Sequence, residues 1–247
     1  MKKTLLVCAL LGSFAATSAQ AATLVGFKVG GDYWQADTSG TFAEKGQTQQ
    51  DFDYSSSSQG SVWVAVEHPI PLVPNFKIRE NRLDTNGNAT LAGDWAFGEH
   101  TFQAGDVTTV TNLSNTDFVL YYEILDNDMV ALDVGAAYKK MHGSFRVSDA
   151  GHPEQKDLSD GIVMAYANAE VGIPGIGLYG FADVMLGLDE TSVYDYSVGL
   201  GWMFDGVALD TKLRVGYRDF KFDVNGFDGI TANSQFKGAF AGVELVF

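Results

Sequence analysis

Apolar and polar residues alternate along most of this chain, so that every second side chain would lie on the same face of an extended strand. Between positions 209 and 218, one face carries Leu213 and Val215. The opposite face carries Arg214 and Arg218. An apolar face opposite a charged face is typical of a strand with lipid on one side and the polar interior of a barrel on the other.

The alternation recurs in ten segments, and we predict that they form an all-β, membrane-spanning, antiparallel up-and-down β-barrel. Several segments have the ~9–11 residues that a tilted strand needs to cross a bilayer. An even number of strands places both termini on the periplasmic side, and eight strands is the alternative count. The segments are 24–34, 60–67, 75–83, 116–125, 129–141, 161–171, 178–188, 192–204, 209–222 and 234–247.

The connections between these segments alternate in length, as expected for short periplasmic turns and longer extracellular loops. Four of the five prolines lie in two of the short connections, where they remove no hydrogen bond from a strand ladder. No boundary between domains is visible in the composition. The short connections are 68–74, 126–128, 172–177 and 205–208, and the long ones are 35–59, 84–115 and 142–160.

The N-terminal segment has the three parts of a secretory signal peptide. Its basic start, Met1–Lys3, precedes a short apolar run, and Ala19–Ala21 supplies small residues before a cleavage site. We therefore predict that residues 1–21 are removed and that residues 22–247 form a single barrel domain. Cys8, the only cysteine, lies in this segment, so the mature chain can form no disulfide.

The net charge excludes one class of function. The full chain has 16 lysines and arginines; without Lys2 and Lys3, 14 remain against 31 acidic residues, a formal charge of −17. So acidic a chain lacks the basic residues that neutralise phosphates, and we predict no nucleic-acid partner. After residue 21, no apolar run reaches the ~18 residues of a membrane helix, which favours a barrel.

Charged residues on the inward faces of the predicted strands are nearly balanced in sign, and most of the net charge lies in loops and rims. Because an unpaired charge inside a narrow barrel is costly, we predict ion pairs and a filled lumen rather than a conducting pore. The candidate lumen-lining residues are Lys28, Lys77, Arg79, Glu123, Asp133, Lys139, Asp183, Asp195, Lys212, Arg214, Arg218 and Glu244.

The last segment ends on an aromatic residue, and Leu245 and Val243 continue its apolar face. This terminus resembles the signal by which outer-membrane proteins are recognised for insertion, so we predict that Phe247 is an assembly signal. The partners that we expect are outer-membrane lipids, lipopolysaccharide and, during insertion, the barrel-assembly machinery. A monomer is favoured over an oligomer.

Three stretches together resemble one family of outer-membrane proteins. They are Gly26–Trp34, which contains the pair Gly30–Gly31, then Leu120–Asn127 and Ile173–Gly175. From its first strand to Phe247, the chain is similar to the outer-membrane barrel family named for an N-terminal Gly-Gly pair. The resemblance implies a barrel fold and a location in a Gram-negative outer membrane. Because that family has no established reaction, it implies no catalytic residues.

Motifs for catalysis, metals and cofactors are not recognisable in the sequence. His142 lies two residues before Ser144, but a hydrolase would also need an orienting acid and an oxyanion site. Asp84–Asn88 resembles a calcium loop, but its glycine is misplaced and Trp95 stands where the bidentate glutamate belongs. We therefore predict no catalytic residue, no metal site and no cofactor.

These features favour a non-enzymatic integral outer-membrane barrel with a structural or surface role, or with limited passage of small solutes through a narrow charged lumen. A transport pore is the first alternative, and it requires an open lumen. A hydrolase at the rim is the second alternative, and it requires converging histidine, serine and acidic side chains.

Overall fold

The computed structural model describes residues 25–127, 129–207 and 209–247. The predicted signal peptide and its cleavage site lie outside these residues. No helix in the described part of the chain is long and apolar enough to span a membrane. Its regular structure consists of seventeen β-strands. In chain order they are β1 (Gly26–Glu44), β2 (Gln50–Tyr54), β3 (Ser57–Glu67), β4 (Asn75–Arg82), β5 (Asp84–Leu91), β6 (Trp95–Phe97), β7 (His100–Phe102), β8 (Gly105–Asn112), β9 (Asn115–Asp126), β10 (Val130–Met141), β11 (Ser144–Ser148), β12 (Pro153–Asp157), β13 (Gly161–Gly172), β14 (Leu178–Gly187), β15 (Tyr194–Phe204), β16 (Asp210–Phe227) and β17 (Ile230–Val246).

Ten of these strands form a closed antiparallel barrel. Around the barrel they follow the order β1, β3, β4, β9, β10, β13, β14, β15, β16 and β17, and β17 pairs with β1 to close the ring. Neighbours around the ring are neighbours along the chain, apart from the strands inserted in the long connections. Ten strands and the up-and-down topology are therefore confirmed, and the alternative of eight strands is wrong.

The alternation decides which side chains point out of the barrel. Val64, Leu200 and Val215 lie on outward positions and are 41–58% exposed. In the segment 178–188, where the sequence leaves the two faces ambiguous, Asp183 points inward and is buried. The outer wall is thus apolar along its length, as lipid contact requires.

The two ends of the barrel differ. The turn end carries the four short connections, none longer than seven residues. At the opposite end, the loop end, β1, β16 and β17 continue beyond the other barrel strands. The long connections are also at this end, but they are not irregular: they contain the seven remaining strands. Five of these, in the order β2, β5, β8, β11 and β12, extend from β1 as a sheet, and β6 and β7 form a separate hairpin.

We call these seven strands, together with the outer parts of β1, β16 and β17, the loop-end domain. Its apolar core is centred on Phe42 and is continuous with the apolar side chains buried inside the barrel. The ring of Phe42 stacks on Phe52 at 4.7 Å between centroids and contacts Phe145 at 4.6 Å and Phe97 at 5.5 Å. Apolar side chains turn inward here, as in a water-soluble protein, whereas in the barrel wall they turn outward.

The Gly-Gly pair of the first strand has a packing role in the barrel. Gly30 faces inward, and a Cβ atom at this position would overlap the ring of Trp63 on the neighbouring strand β3. The indole Nε1 of Trp63 donates a hydrogen bond to Glu244 Oε2 at 3.2 Å, which holds the ring against the glycine. Glycine at position 30 therefore lets a tryptophan lie flat inside a narrow barrel.

We expect Gly30→Ala to destabilise the barrel by about 1–3 kcal/mol, because the added methyl group forces Trp63 out of its place. The matched control is Gly60→Ala, since a Cβ at Gly60 would meet nothing closer than the Asp32 carbonyl oxygen at 3.9 Å. Urea unfolding of the refolded proteins in detergent, followed by circular dichroism, measures both. Equal midpoints for the two variants would contradict the packing role.

Candidate functional site in the barrel interior

Six buried charged side chains meet in the middle of the barrel, each from a different strand. They are three bases and three acids, so the group has no net formal charge, and each residue is 0–6% exposed. We call this group the central charge network. Its members are Arg79 on β4, Asp117 on β9, Lys139 on β10, Asp183 on β14, Asp195 on β15 and Arg218 on β16.

Asp195 is the hub of the network because it contacts all three bases. Arg218 donates to both of its carboxylate oxygens, from Nε at 2.9 Å and from Nη2 at 2.7 Å. Lys139 Nζ and Arg79 Nη2 each lie 3.2 Å from Asp195 Oδ2. The two-pronged contact with an arginine is the strongest form that such an ion pair takes.

The bond between Arg79 and Asp195 crosses the lumen. β4 and β15 lie five places apart around the ring of ten strands, so they stand on opposite walls. Arg79 also binds Asp117 on the adjacent strand, Nε to Oδ2 at 2.9 Å, and approaches Asp183 at 3.4 Å. Lys139 binds Asp117 at 2.7 Å. The side chains of the network therefore span the lumen at this level.

On the loop-end side of the network, the interior becomes apolar. Lys139 Nζ lies 5.2 Å from the centre of the ring of Phe220. Phe220, Phe222 and Phe236 are fully buried, as is Met164. These side chains form an apolar layer between the network and the loop-end domain.

On the turn-end side of the network, a cavity of about 960 Å³ opens between the strands. We call it the turn-end cavity. Seven of its lining residues are acids and two are lysines. Lys28 pairs with Glu67 at 2.5 Å, and Lys212 pairs with Glu170 at 2.7 Å. The remaining lining acids are Glu123, Asp126, Asp133, Asp205 and Asp210.

The twelve residues predicted to line the lumen divide between these regions. Arg79, Lys139, Asp183, Asp195 and Arg218 belong to the central charge network. The turn-end cavity is lined by Lys28, Glu123, Asp133 and Lys212. Between the two, Lys77 pairs with Asp183 at 3.3 Å, Arg214 lies over aromatic rings and Glu244 accepts from Trp63.

Arg214 differs from the other inward bases in its partners. We expected it to pair with acids of neighbouring strands, but its guanidinium lies over the ring of Phe181 at 4.3 Å and near that of Trp63 at 5.4 Å. Its Nε has no hydrogen-bond partner among the described residues. Aromatic faces attract a cation without supplying a carboxylate, so these contacts stabilise Arg214 in addition to the electrostatic attraction of Asp32 and Glu244.

Asp117 is the network member that the sequence analysis missed. It lies at the start of a predicted segment, where the alternation is least secure, but it shares its face with Tyr121 and Glu123. That spacing is the signal that could have identified it. Asn81 also joins the network: it donates to Asp117 at 2.9 Å and accepts from Arg218 at 2.8 Å.

The rim histidine lies beside an acidic residue. His142 Nε2 lies 3.3 Å from Glu80 Oε1, on the outer side of the barrel near the loop end. Residues 84–88, which resemble a calcium loop in sequence, are part of strand β5 and pair with β8.

A closed ten-stranded barrel, an apolar outer wall and a charged interior together define a transmembrane β-barrel. No protein-family model matches this chain. No curated protein matches it either.

Solved outer-membrane barrels match the chain over most of its length. The translocator domain of the autotransporter NalP from Neisseria meningitidis is 13% identical with a TM-score of 0.39, over 98% of this chain and 97% of that one. The outer membrane protease OmpT from Escherichia coli is 10% identical with a TM-score of 0.42, over 89% and 97%. Ail, the attachment invasion locus protein of Yersinia pestis, is 10% identical with a TM-score of 0.30, over 91% and 100%. At these values, the similarity assigns this chain no role.

We expect Lys139→Met to destabilise the barrel by about 3–5 kcal/mol, because it leaves Asp117 and Asp195 with one base fewer in a buried site. The matched control is Lys140→Met: Lys140 is the next residue on β10, is exposed and points outward, so its effect should stay within about 0.5 kcal/mol. The temperature at which each variant loses its faster migration on an unboiled gel measures the difference. Similar temperatures would show that the network adds little to stability.

Proposed function

We propose that this protein is a non-enzymatic integral barrel of a Gram-negative outer membrane, and that its loop-end domain, rather than flux through its lumen, carries its function. The observation that carries the proposal is the bond between Arg79 and Asp195. Because it joins opposite walls inside a layer of buried charges, a solute could pass only by breaking several ion pairs.

The size of the barrel supports the same conclusion. Side chains fill the interior of eight-stranded barrels, whereas open water-filled channels belong to barrels of 16 or more strands. With ten strands, this barrel is much closer in size to the filled barrels than to the open channels. The turn-end cavity opens at the barrel mouth, and Lys77, Arg214 and Glu244 lie between it and the network, so we interpret it as a closed vestibule rather than as half of a channel.

The long connections support a surface role. A barrel that served only to fill space in the membrane would need no folded extension. Here, seven strands and a buried aromatic core lie in the connections of the loop end. We propose that the turn end faces the periplasm and that the loop-end domain lies at the cell surface, beside lipopolysaccharide.

The remaining sequence-based expectations stay part of this proposal. They are the contact of the outer wall with outer-membrane lipids, a monomeric state, delivery by the barrel-assembly machinery and membership of the Gly-Gly family. The buried place of Gly30 against Trp63 gives a physical reason for a glycine at that position.

A small-solute pore is the second candidate, and the turn-end cavity is the observation that favours it. Its volume of about 960 Å³ would hold a small solute, and its excess of acids would favour a cation. For this candidate to be right, the central charge network would have to open.

Planar-bilayer recordings distinguish the two candidates. We expect wild-type protein to give no steady conductance above that of the bare bilayer, because the network blocks the lumen. Arg79→Ser should conduct, since it removes the side chain that spans the lumen. Arg82→Ser is the matched control, on the same strand but exposed, and should behave as wild type. Porin-like conductance of the wild-type protein would overturn the proposal in favour of the pore.

We expect deletion of Phe247 to lower the amount of protein in the outer membrane. The backbone of Phe247 exchanges two hydrogen bonds with Phe27 on β1, at 2.9 and 3.3 Å, so the deletion removes the last pair of the closing ladder. Phe247→Ala keeps this backbone pair and removes only the ring. Fractionation of cells expressing each variant measures both effects. A normal level of the Phe247→Ala protein would show that the ring is not the assembly signal.

A further inference from the structure

Two surface turns of the loop-end domain bring three metal-binding side chains together. His100 begins β7 in the hairpin of β6 and β7, while Asp149 and His152 lie in the turn between β11 and β12. One ligand atom from each of the three lies within 4.8 Å of the others. About fifty positions separate His100 from the other two in the sequence, so no spacing motif could have revealed the cluster.

The three side chains face one another with their polar atoms. His100 Nε2 lies 3.9 Å from Asp149 Oδ2, and His152 Nδ1 lies 3.4 Å from Asp149 Oδ1. The two imidazole rings stack with their centres 4.9 Å apart and their planes 15° from parallel. Two imidazoles and one carboxylate thus lie side by side at the surface.

Asp149 is held in place as an ionised carboxylate. Its Oδ1 accepts backbone hydrogen bonds from Gly151 at 3.2 Å and from His152 at 3.0 Å. Desolvation alone would raise the pKa of Asp149, but these bonds and the nearby His152 together hold it below its usual value. Its Oδ2 is left facing His100.

The hairpin that carries His100 is also fixed. The imidazole packs edge-on against Phe102, whose ring is fully buried in the loop-end core, at 4.8 Å between centroids. The backbone N–H of Glu99 donates to Glu154 Oε2 at 3.2 Å, on the strand that follows His152. The two turns are therefore tied to each other beside the cluster, independently of any ligand.

We propose that His100, Asp149 and His152 bind a divalent transition-metal ion of the type of Zn²⁺. Imidazole nitrogens suit zinc, copper and nickel, whereas magnesium and calcium prefer a shell of oxygen atoms. Three protein ligands leave a tetrahedral ion one position, which water fills at an exposed site.

Binding would require the two stacked imidazole rings to turn toward a common ion and the ligand atoms, now within 4.8 Å of one another, to move closer together. With bonds of about 2.0–2.1 Å, the ligand atoms of a tetrahedral zinc ion lie about 3.3 Å apart. The separation from Asp149 to His152 already has nearly this value, and that from Asp149 to His100 is 3.9 Å. His152 is the side chain best able to adjust, since it is 68% exposed. A bound ion would join the two turns and stiffen the outer surface of the loop-end domain.

Titration calorimetry with zinc chloride tests the proposal on refolded protein that carries no histidine tag. We expect one ion per chain. His100→Ala, His152→Ala and Asp149→Asn should each weaken zinc binding by at least about 10-fold, since loss even of a residue that only supports a ligand costs that much. Asp149→Asn keeps an oxygen that can accept the backbone hydrogen bonds, so it tests the charge with the turn intact.

His68→Ala is the matched control. His68 lies in the short connection between β3 and β4 at the turn end, far from the cluster, and its removal should leave zinc affinity unchanged. Gel migration before and after boiling confirms that each variant is folded. If wild-type protein binds no zinc, or if the three cluster variants bind it as tightly as wild type does, the proposal is wrong. Equal binding by magnesium would also overturn it, because acidic side chains alone would then account for the ion.

Discussion

The hydrogen-bond ladder between the first and last strands is the constraint on which the rest of this structure depends. In hydrocarbon, no water can satisfy a free backbone N–H or C=O group, so a membrane-spanning sheet must have no edge. β17 and β3 flank β1 on its two sides, from Lys28 to Glu44 and from Gly26 to Ala36, and so close the ring. Closure fixes the inward and outward faces of every strand, because adjacent side chains along a strand point in opposite directions.

Because each strand has a fixed inward face and a fixed outward face, charged side chains are concentrated inside the barrel. Lysines and arginines are too costly on the lipid side, so they share a narrow interior with the acids and must find partners there. In this chain the inward charges form a neutral group, in which Asp195 contacts three bases on three different strands. Beyond the lipid-facing wall the requirement disappears, and the interior changes from charged residues to the rings around Phe42.

The barrel could be predicted from the sequence because its signal is local. In β16, the apolar and charged faces separate within ten residues, and the pattern needs no knowledge of the neighbouring strands. The loop-end domain could not, since its strands are short and its core joins distant segments, such as those of Phe42 and Phe145. The same limit applies inside the barrel. Alternation indicates that Arg79 points inward, but not that it meets Asp195, 116 positions later, on the opposite wall.

The folded state of the outer connections determines how another molecule would encounter this protein. One surface groove of the loop-end domain is lined by Asp53, Asn88, Asp106 and Asp149, which come from four separate parts of the chain. An antibody that binds this groove would therefore recognise a discontinuous epitope. A linear peptide copied from any one strand would carry a single segment of it, without the neighbouring strands that give that segment its shape.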